Sequence, residues 1–186
     1  MKTLIKNGLL IDPANQVQAY LNLILEDGKV VAVTEEEPEA DRVIDATGKV
    51  VAPGFIDIHM HEDPVKDGKI EFCIFDAMLR MGVTTAVGGN CGINVYDPVK
   101  YLDMVEKDGA PVNVMLFAGH QYFREAAGAL DKYAPVTKEQ QEHMKKGLEK
   151  ALEAGCVGIS YGLRYVPGTG RDEFLDTASC CEKEHR

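Results

Sequence analysis

At 186 residues, 45% hydrophobic and 27% charged, the chain has the composition of an ordinary globular protein with one sizeable core, which excludes a disordered or fibrous polypeptide. Its 20 basic against 30 acidic side chains give a formal charge of -10 with no basic stripe, which argues against a nucleic-acid partner and for small-molecule chemistry. No apolar run approaches the roughly 20 residues of a membrane span and Met1–Gly8 lacks a signal-peptide core, so no membrane partner and a cytoplasmic location are expected.

Residues 1–52 read as short strands, Thr3–Ile5, Leu9–Ile11, Leu21–Leu25, Val30–Val33, Val43–Ile44 and Val50–Val51. Asp27-Gly28 between two apolar runs signals a hairpin, and the acidic stretch Glu35–Glu39 reads as a solvated loop. From residue 53 to residue 186 the rhythm becomes strand, then helix, repeated. Phe55–Ile58 is a buried strand. The stripe Phe72, Phe75, Leu79 predicts a helix stopping at Gly82. Val83–Val87 is the second strand, and Asp97-Pro98 places an N-cap and an N1 proline before a helix running towards Gly109.

Val112–Phe117 is the third strand. Thr137 and Gln140 form a capping box for a helix with the apolar stripe Met144, Leu148, Ala151, Leu152, ending at Gly155. Cys156–Ser160 is the fourth strand, the loop Tyr161–Gly170 follows, and Asp172–Glu184 is the last helix. Four βα units imply a parallel α/β sheet, either doubly wound or the first half of a (β/α)8 barrel. In both architectures ligands bind at the carboxyl ends of the strands.

The chemistry concentrates at those ends. His59 and His61 stand at i and i+2 after a buried strand, a spacing that points both imidazoles the same way and suits a divalent transition metal. Asp63 is placed to ligate or to orient a histidine from behind. Cys91 lies in Gly88-Gly89-Asn90-Cys91-Gly92, next to the His pair, where a thiolate offers a third ligand soft enough for zinc. His120 follows the third strand, with a structural role and contact with metal or substrate both open. Cys73 and Cys156 read as packing residues, vicinal Cys180 and Cys181 need no function, and the odd, irregularly spaced five cysteines suggest reduced thiols. His143 and His185 read as surface residues.

Together, Ile44-Asp45-Ala46, Val51-Ala52-Pro53-Gly54-Phe55-Ile56-Asp57 and His59-x-His61 resemble the opening of the amidohydrolase superfamily. The segments Gly82-Val83-Thr84-Thr85, Gly89-Asn90-Cys91-Gly92, Asn113 with Gly119-His120, and Gly158-Ile159-Ser160 with Gly162-Leu163-x-Tyr165-x-Pro167-Gly168 resemble its D-aminoacylase, or N-acyl-D-amino-acid deacylase, branch. The resemblance implies a (β/α)8 TIM-type barrel, of which 53–186 would supply the first four strands, beside a small β-sandwich begun by residues 1–52. It implies one or two zinc ions at the barrel top, with His59, His61 and Cys91 as metal ligands and Tyr165 as a substrate contact. On charge and location alone, and not from the resemblance, Arg164 or Arg124 is the candidate to pair with the substrate carboxylate.

The implied substrate is a small N-acyl-D-amino acid, cleaved at its amide bond. In the family two further histidines follow strands five and six and a base aspartate follows strand eight, so 186 residues alone are expected to be inactive. Two other readings stay open: a hydantoinase- or dihydroorotase-like cyclic amidase, and a truncated metal-binding fragment without catalysis. No lysine lies between Ala151 and Glu182, where those cyclic amidases commonly carry a carboxylated one, which favours the deacylase branch.

Overall fold

In the computed structural model, which describes residues 1–165 and 170–183, the chain divides into two units, Met1–Gly54 and the residues from Phe55 onward. The first carries strands β1 (Lys2–Lys6), β2 (Leu9–Asp12), β3 (Val17–Tyr20), β4 (Asn22–Glu26), β5 (Lys29–Thr34), β6 (Arg42–Asp45) and β7 (Val50–Val51). They form a four-stranded sheet in the order β5-β4-β1-β6 and a three-stranded sheet in the order β3-β2-β7. Leu10 in β2 and Ile24 in β4 are buried between more exposed neighbours, the alternation a half-covered sheet requires. Asp27 and Gly28, at φ 48° and 77°, make the expected primed turn between β4 and β5. Strand β3 was not expected: Asp12 caps a 3-10 turn over Pro13–Asn15, Gln16 takes φ 55°, and the polar segment that follows folds back antiparallel on β2.

The second unit comprises β8 (Phe55–Asp57), β9 (Val65–Lys66), β10 (Lys69–Ile70), α1 (Ile74–Arg80), β11 (Val83–Gly88), α2 (Pro98–Asp108), β12 (Asn113–Leu116), β13 (Ala118–Gly119), α3 (His120–Ala126), α4 (Lys138–Glu153), β14 (Ile159–Ser160) and α5 (Arg171–Lys183). Strand β11 pairs in parallel with β8 on one side and β12 on the other, and β13 pairs in parallel with β14. At Phe117 the third strand changes partner: its N–H donates to Gly88 O (3.0 Å), while Leu116 O accepts from Val157 N (2.8 Å) and Gly158 O from Ala118 N (2.9 Å). Each parallel strand therefore lies beside the one before it in sequence, with helices between. That is the winding of a barrel, whereas a doubly wound sheet reverses direction part-way.

The units are less regular than four simple βα repeats. The third strand is split, the fourth spans only Ile159–Ser160, and a helix, α3, occupies residues expected to form a loop. A β9–β10 hairpin also intervenes, turning on Asp67 and Gly68 at φ 50° and 74°. The apolar face of α1 is Phe75 and Met78 rather than Phe72, Phe75 and Leu79, because the helix begins only at Ile74; Leu79 is exposed. The core of this unit gathers Phe75, Ala86, Tyr101, Leu116, Phe123 and, from α4, Met144, Leu148, Ala151 and Leu152. Burying each leucine is worth about 1.5–3 kcal/mol.

Cap geometry fixes where these helices start. Asp97 accepts from Val99 N and Lys100 N (3.0 and 3.1 Å). Thr137 and Gln140 exchange the two bonds of the capping box (2.9 and 3.2 Å). No helix among the described residues is long and apolar enough to cross a membrane.

Candidate active site at the carboxyl ends of the parallel strands

Strand β11 ends at Gly88, and the chain reverses through a 3-10 turn, Asn90–Gly92. Gly89, Cys91 and Gly92 take φ 72°, 60° and 78°. A Cβ at Gly89 would collide with Phe117 O, so only glycine fits there. Cys91 has no such licence, and an L-residue in the left-handed region costs about 1–2 kcal/mol. Strain of this kind persists only where the surroundings impose it, and it clusters at functional sites.

Here the surroundings are side chains that bond the turn from behind. Asn90 Nδ2 donates to Val87 O (2.7 Å) and Met60 O (3.3 Å). Glu62 accepts from Gly89 N (2.8 Å) and Asn94 Nδ2 (3.0 Å), while Asn94 Oδ1 accepts from Gly119 N (2.7 Å). Ser160 accepts from Gly92 N (3.0 Å) and donates to Gly89 O.

Beyond β8, Asp57 Oδ1 accepts from His59 N (3.0 Å), which sets His59 on a bend rather than on the strand itself. The alternation nonetheless continues: His59 and His61 are exposed, Met60 and Glu62 buried. His59 Nε2 stands 3.4 Å from Cys91 Sγ. Both line an open groove of about 460 Å³, whose other walls include Phe117, Ile159, Leu163, Arg164 and Tyr165. Tyr165 Oη points at the same sulfur from 3.9 Å, and that bond to Cys91 lifts the phenol above its ordinary pKa. The loop carrying Tyr165 lies directly on the cysteine turn, since a Cβ at Gly162 would collide with Cys91 O.

Three expected site residues are engaged elsewhere. Asp63 does not turn to the histidines: its oxygens accept from Cys73 N, Cys73 Sγ, Ile74 N and Phe75 N at 2.7–3.0 Å, so it anchors the amino end of α1. Burial pushes its carboxyl up, but these bonds outweigh burial and hold it below the usual carboxylate range. Arg124 is not at the groove. It is buried against both oxygens of Glu173 (3.1 Å each) and donates to Asp131 O and Ala134 O (3.2 and 2.5 Å).

His120 is buried as well, with Nε2 2.7 Å from Glu173 Oε1 and its ring 5.2 Å from that of Tyr161. Burial pushes the Glu173 carboxyl up, yet His120 and Arg124 together keep it low. The three tie α3 to α5.

Glu62, Asn94, Ser160 and Glu173 were not singled out from the sequence. A signal for Glu62 was available: with His59 and His61 outward, the period of two places Met60 and Glu62 inward. Exposed His143 stands apart on α4. His185, Pro167 and Gly168 lie outside the described residues.

A tetrahedral zinc with a thiolate at about 2.3 Å and an imidazole at about 2.0–2.1 Å spaces sulfur and nitrogen by about 3.6 Å. The His59–Cys91 separation of 3.4 Å and its soft donor set fit such an ion. His61 does not complete a three-donor group: among the described residues, no three or more His, Cys, Asp or Glu side chains are arranged to hold a metal. Strand β8 ends before the pair, and its Phe55 and Ile56, with Ile58 beyond it, are exposed rather than buried as expected.

The sequence profile of the amidohydrolase family matches residues 42–164. The chain belongs to that family. It is 32% identical over 187 residues to an N-acyl-D-glutamate deacylase of Alcaligenes xylosoxydans xylosoxydans, covering 88% of this chain and 38% of that protein. The crystal structure of N-acyl-D-glutamate deacylase from Bordetella bronchiseptica, complexed with zinc and a phosphonate mimic of the tetrahedral intermediate, superposes with a TM-score of 0.85 at 30% identity, over 99% of this chain and 43% of that one. A D-aminoacylase with a binuclear metal centre gives 0.87 at 26% identity, over 98% and 43%. This chain thus spans about two fifths of the length of these proteins.

Proposed function

We propose that this chain supplies the His59 and Cys91 part of a zinc site that hydrolyses the amide bond of N-acyl-D-amino acids, releasing a carboxylate and the free D-amino acid. The approach of His59 Nε2 and Cys91 Sγ to 3.4 Å, at a groove on the carboxyl ends of parallel strands, carries the reading. His59 and Cys91, with His61 as the exposed imidazole two residues on, would hold one or two zinc ions. When bound, zinc polarises an acyl carbonyl and lowers the pKa of its water towards neutrality.

The remaining roles fall to the chain's own side chains. Arg164, in the groove wall, carries the charge and the bidentate fork to pair with the substrate carboxylate. Tyr165 Oη, beside the Cys91 sulfur, donates a hydrogen bond to a substrate oxygen. Phe117, Ile159 and Leu163 supply apolar wall that displaces water and strengthens both contacts. The test is turnover of N-acetyl-D-amino acids, their L-enantiomers and hydantoin by a zinc-loaded protein in which this chain is joined to the remaining strands of the family's barrel, because the 186 residues alone are expected to be inactive. The D-forms are expected to react fastest; faster opening of hydantoin would assign the site to cyclic amides instead.

A further inference from the structure

One hydroxyl joins the loop that carries Tyr165 to the turn that carries Cys91. Ser160, at the end of β14, donates to Gly89 O and accepts from Gly92 N at 3.0 Å. Those two peptide groups flank the strained residue, the carbonyl before Asn90-Cys91 and the N–H after it. With Gly89, Cys91 and Gly92 all at positive φ, the turn cannot continue a strand ladder, and its backbone groups must find other partners. A serine hydroxyl is both donor and acceptor, so one atom serves both.

We propose that Ser160 is the positioning residue of Cys91: its hydroxyl pins the turn on either side of the cysteine in the left-handed conformation that brings the sulfur to His59 and Tyr165. The inference rests on Cys91 being a metal ligand and adds the residue that fixes it. It also links the two halves of the groove. Ser160 begins the segment in which Gly162 packs on the Cys91 carbonyl and Tyr165 faces its sulfur, so one residue joins substrate loop and metal turn.

Cobalt(II) replaces zinc as probe, because a cobalt–thiolate bond gives a near-ultraviolet charge-transfer band that reports Cys91 ligation apart from activity and stability. Ser160→Ala is expected to weaken cobalt binding tenfold or more and to lose most of the band, as removal of groups that orient metal ligands does. Ser160→Thr, which keeps a hydroxyl, restores both to within about twofold of the unmodified chain. Asn113→Ala removes a comparable bond, Nδ2 to Thr84 O at 2.9 Å, at the opposite end of the strands and should leave the band unchanged.

A folded Ser160→Ala chain with unmodified affinity and band overturns the inference and leaves Cys91 a ligand. Absence of the band from the unmodified chain overturns both. If Ser160→Ala does not fold, Ser160→Thr decides: the full band supports the pinning role, and a folded threonine variant without it refutes that role.

Discussion

Both carboxylate oxygens of Asp63 are spent on the amino end of α1, and its replacement by alanine should leave three N–H groups, that of Phe75 buried, without their partner. The expected cost is on the order of 2 kcal/mol, read as a lower urea midpoint. The sign with pH follows from the direction of the shift. Its folded pKa lies below the unfolded value, so the stabilisation is complete above the ordinary aspartate pKa of about 3.9 and fades as pH falls from there through the lower folded value. Asp63→Asn should remove that part of the acid dependence. Arg124→Ala leaves the buried Glu173 carboxylate with His120 as its partner and should cost about 3 kcal/mol in the same assay. Tyr165→Phe, by contrast, should leave stability unchanged and, in a protein that completes the barrel, lower kcat/KM on N-acyl-D-amino acids by an amount worth about 1–3 kcal/mol. His59 and Cys91 were legible in the sequence because residue type, spacing and position after a strand all agreed. Asp63 and Arg124 were misassigned for one physical reason: a charged side chain near a strand end reads alike whether it faces a ligand or a helix. Their partners lie 12 and 49 positions away at Phe75 and Glu173, where no local pattern reaches.

Glycines separate two costs at the scale of the element. Gly28→Ala, where the added Cβ meets nothing, should cost about 1 kcal/mol from φ alone. Gly89→Ala adds a collision with Phe117 O to the same φ penalty and should cost about 2–4 kcal/mol, displacing the cysteine turn with it; thermal melts of the two variants give the comparison. Helix α4 was read from its capping box and its buried stripe because both signals are local and repeat. The Asp27-Gly28 hairpin was read, yet the same dipeptide at Asp67-Gly68 was passed over because its flanking strands, Val65–Lys66 and Lys69–Ile70, are only two residues each. Helix α3 was hidden in another way: its seven residues are held by the buried His120, Phe123 and Arg124, and no side-chain cap marks its start.

For the whole molecule, the alternation of strand and helix left two architectures open, and the strand order decided between them. In the unit from Phe55 onward neighbouring parallel strands follow one another in sequence, so Cys91 after β11, Tyr165 after β14 and His59 after β8 arrive at one groove. That convergence is long-range: residues 32 and 74 positions apart meet at one sulfur, which spacing alone could suggest but not measure. The central claim is that this meeting point binds zinc. Zinc content after exhaustive dialysis, by elemental analysis of the unmodified chain and of the His59→Ala, Cys91→Ser double variant, tests it most directly. Retained zinc is expected in the first and loss of most of it in the second; equal zinc in both would rule out binding at this sulfur and imidazole.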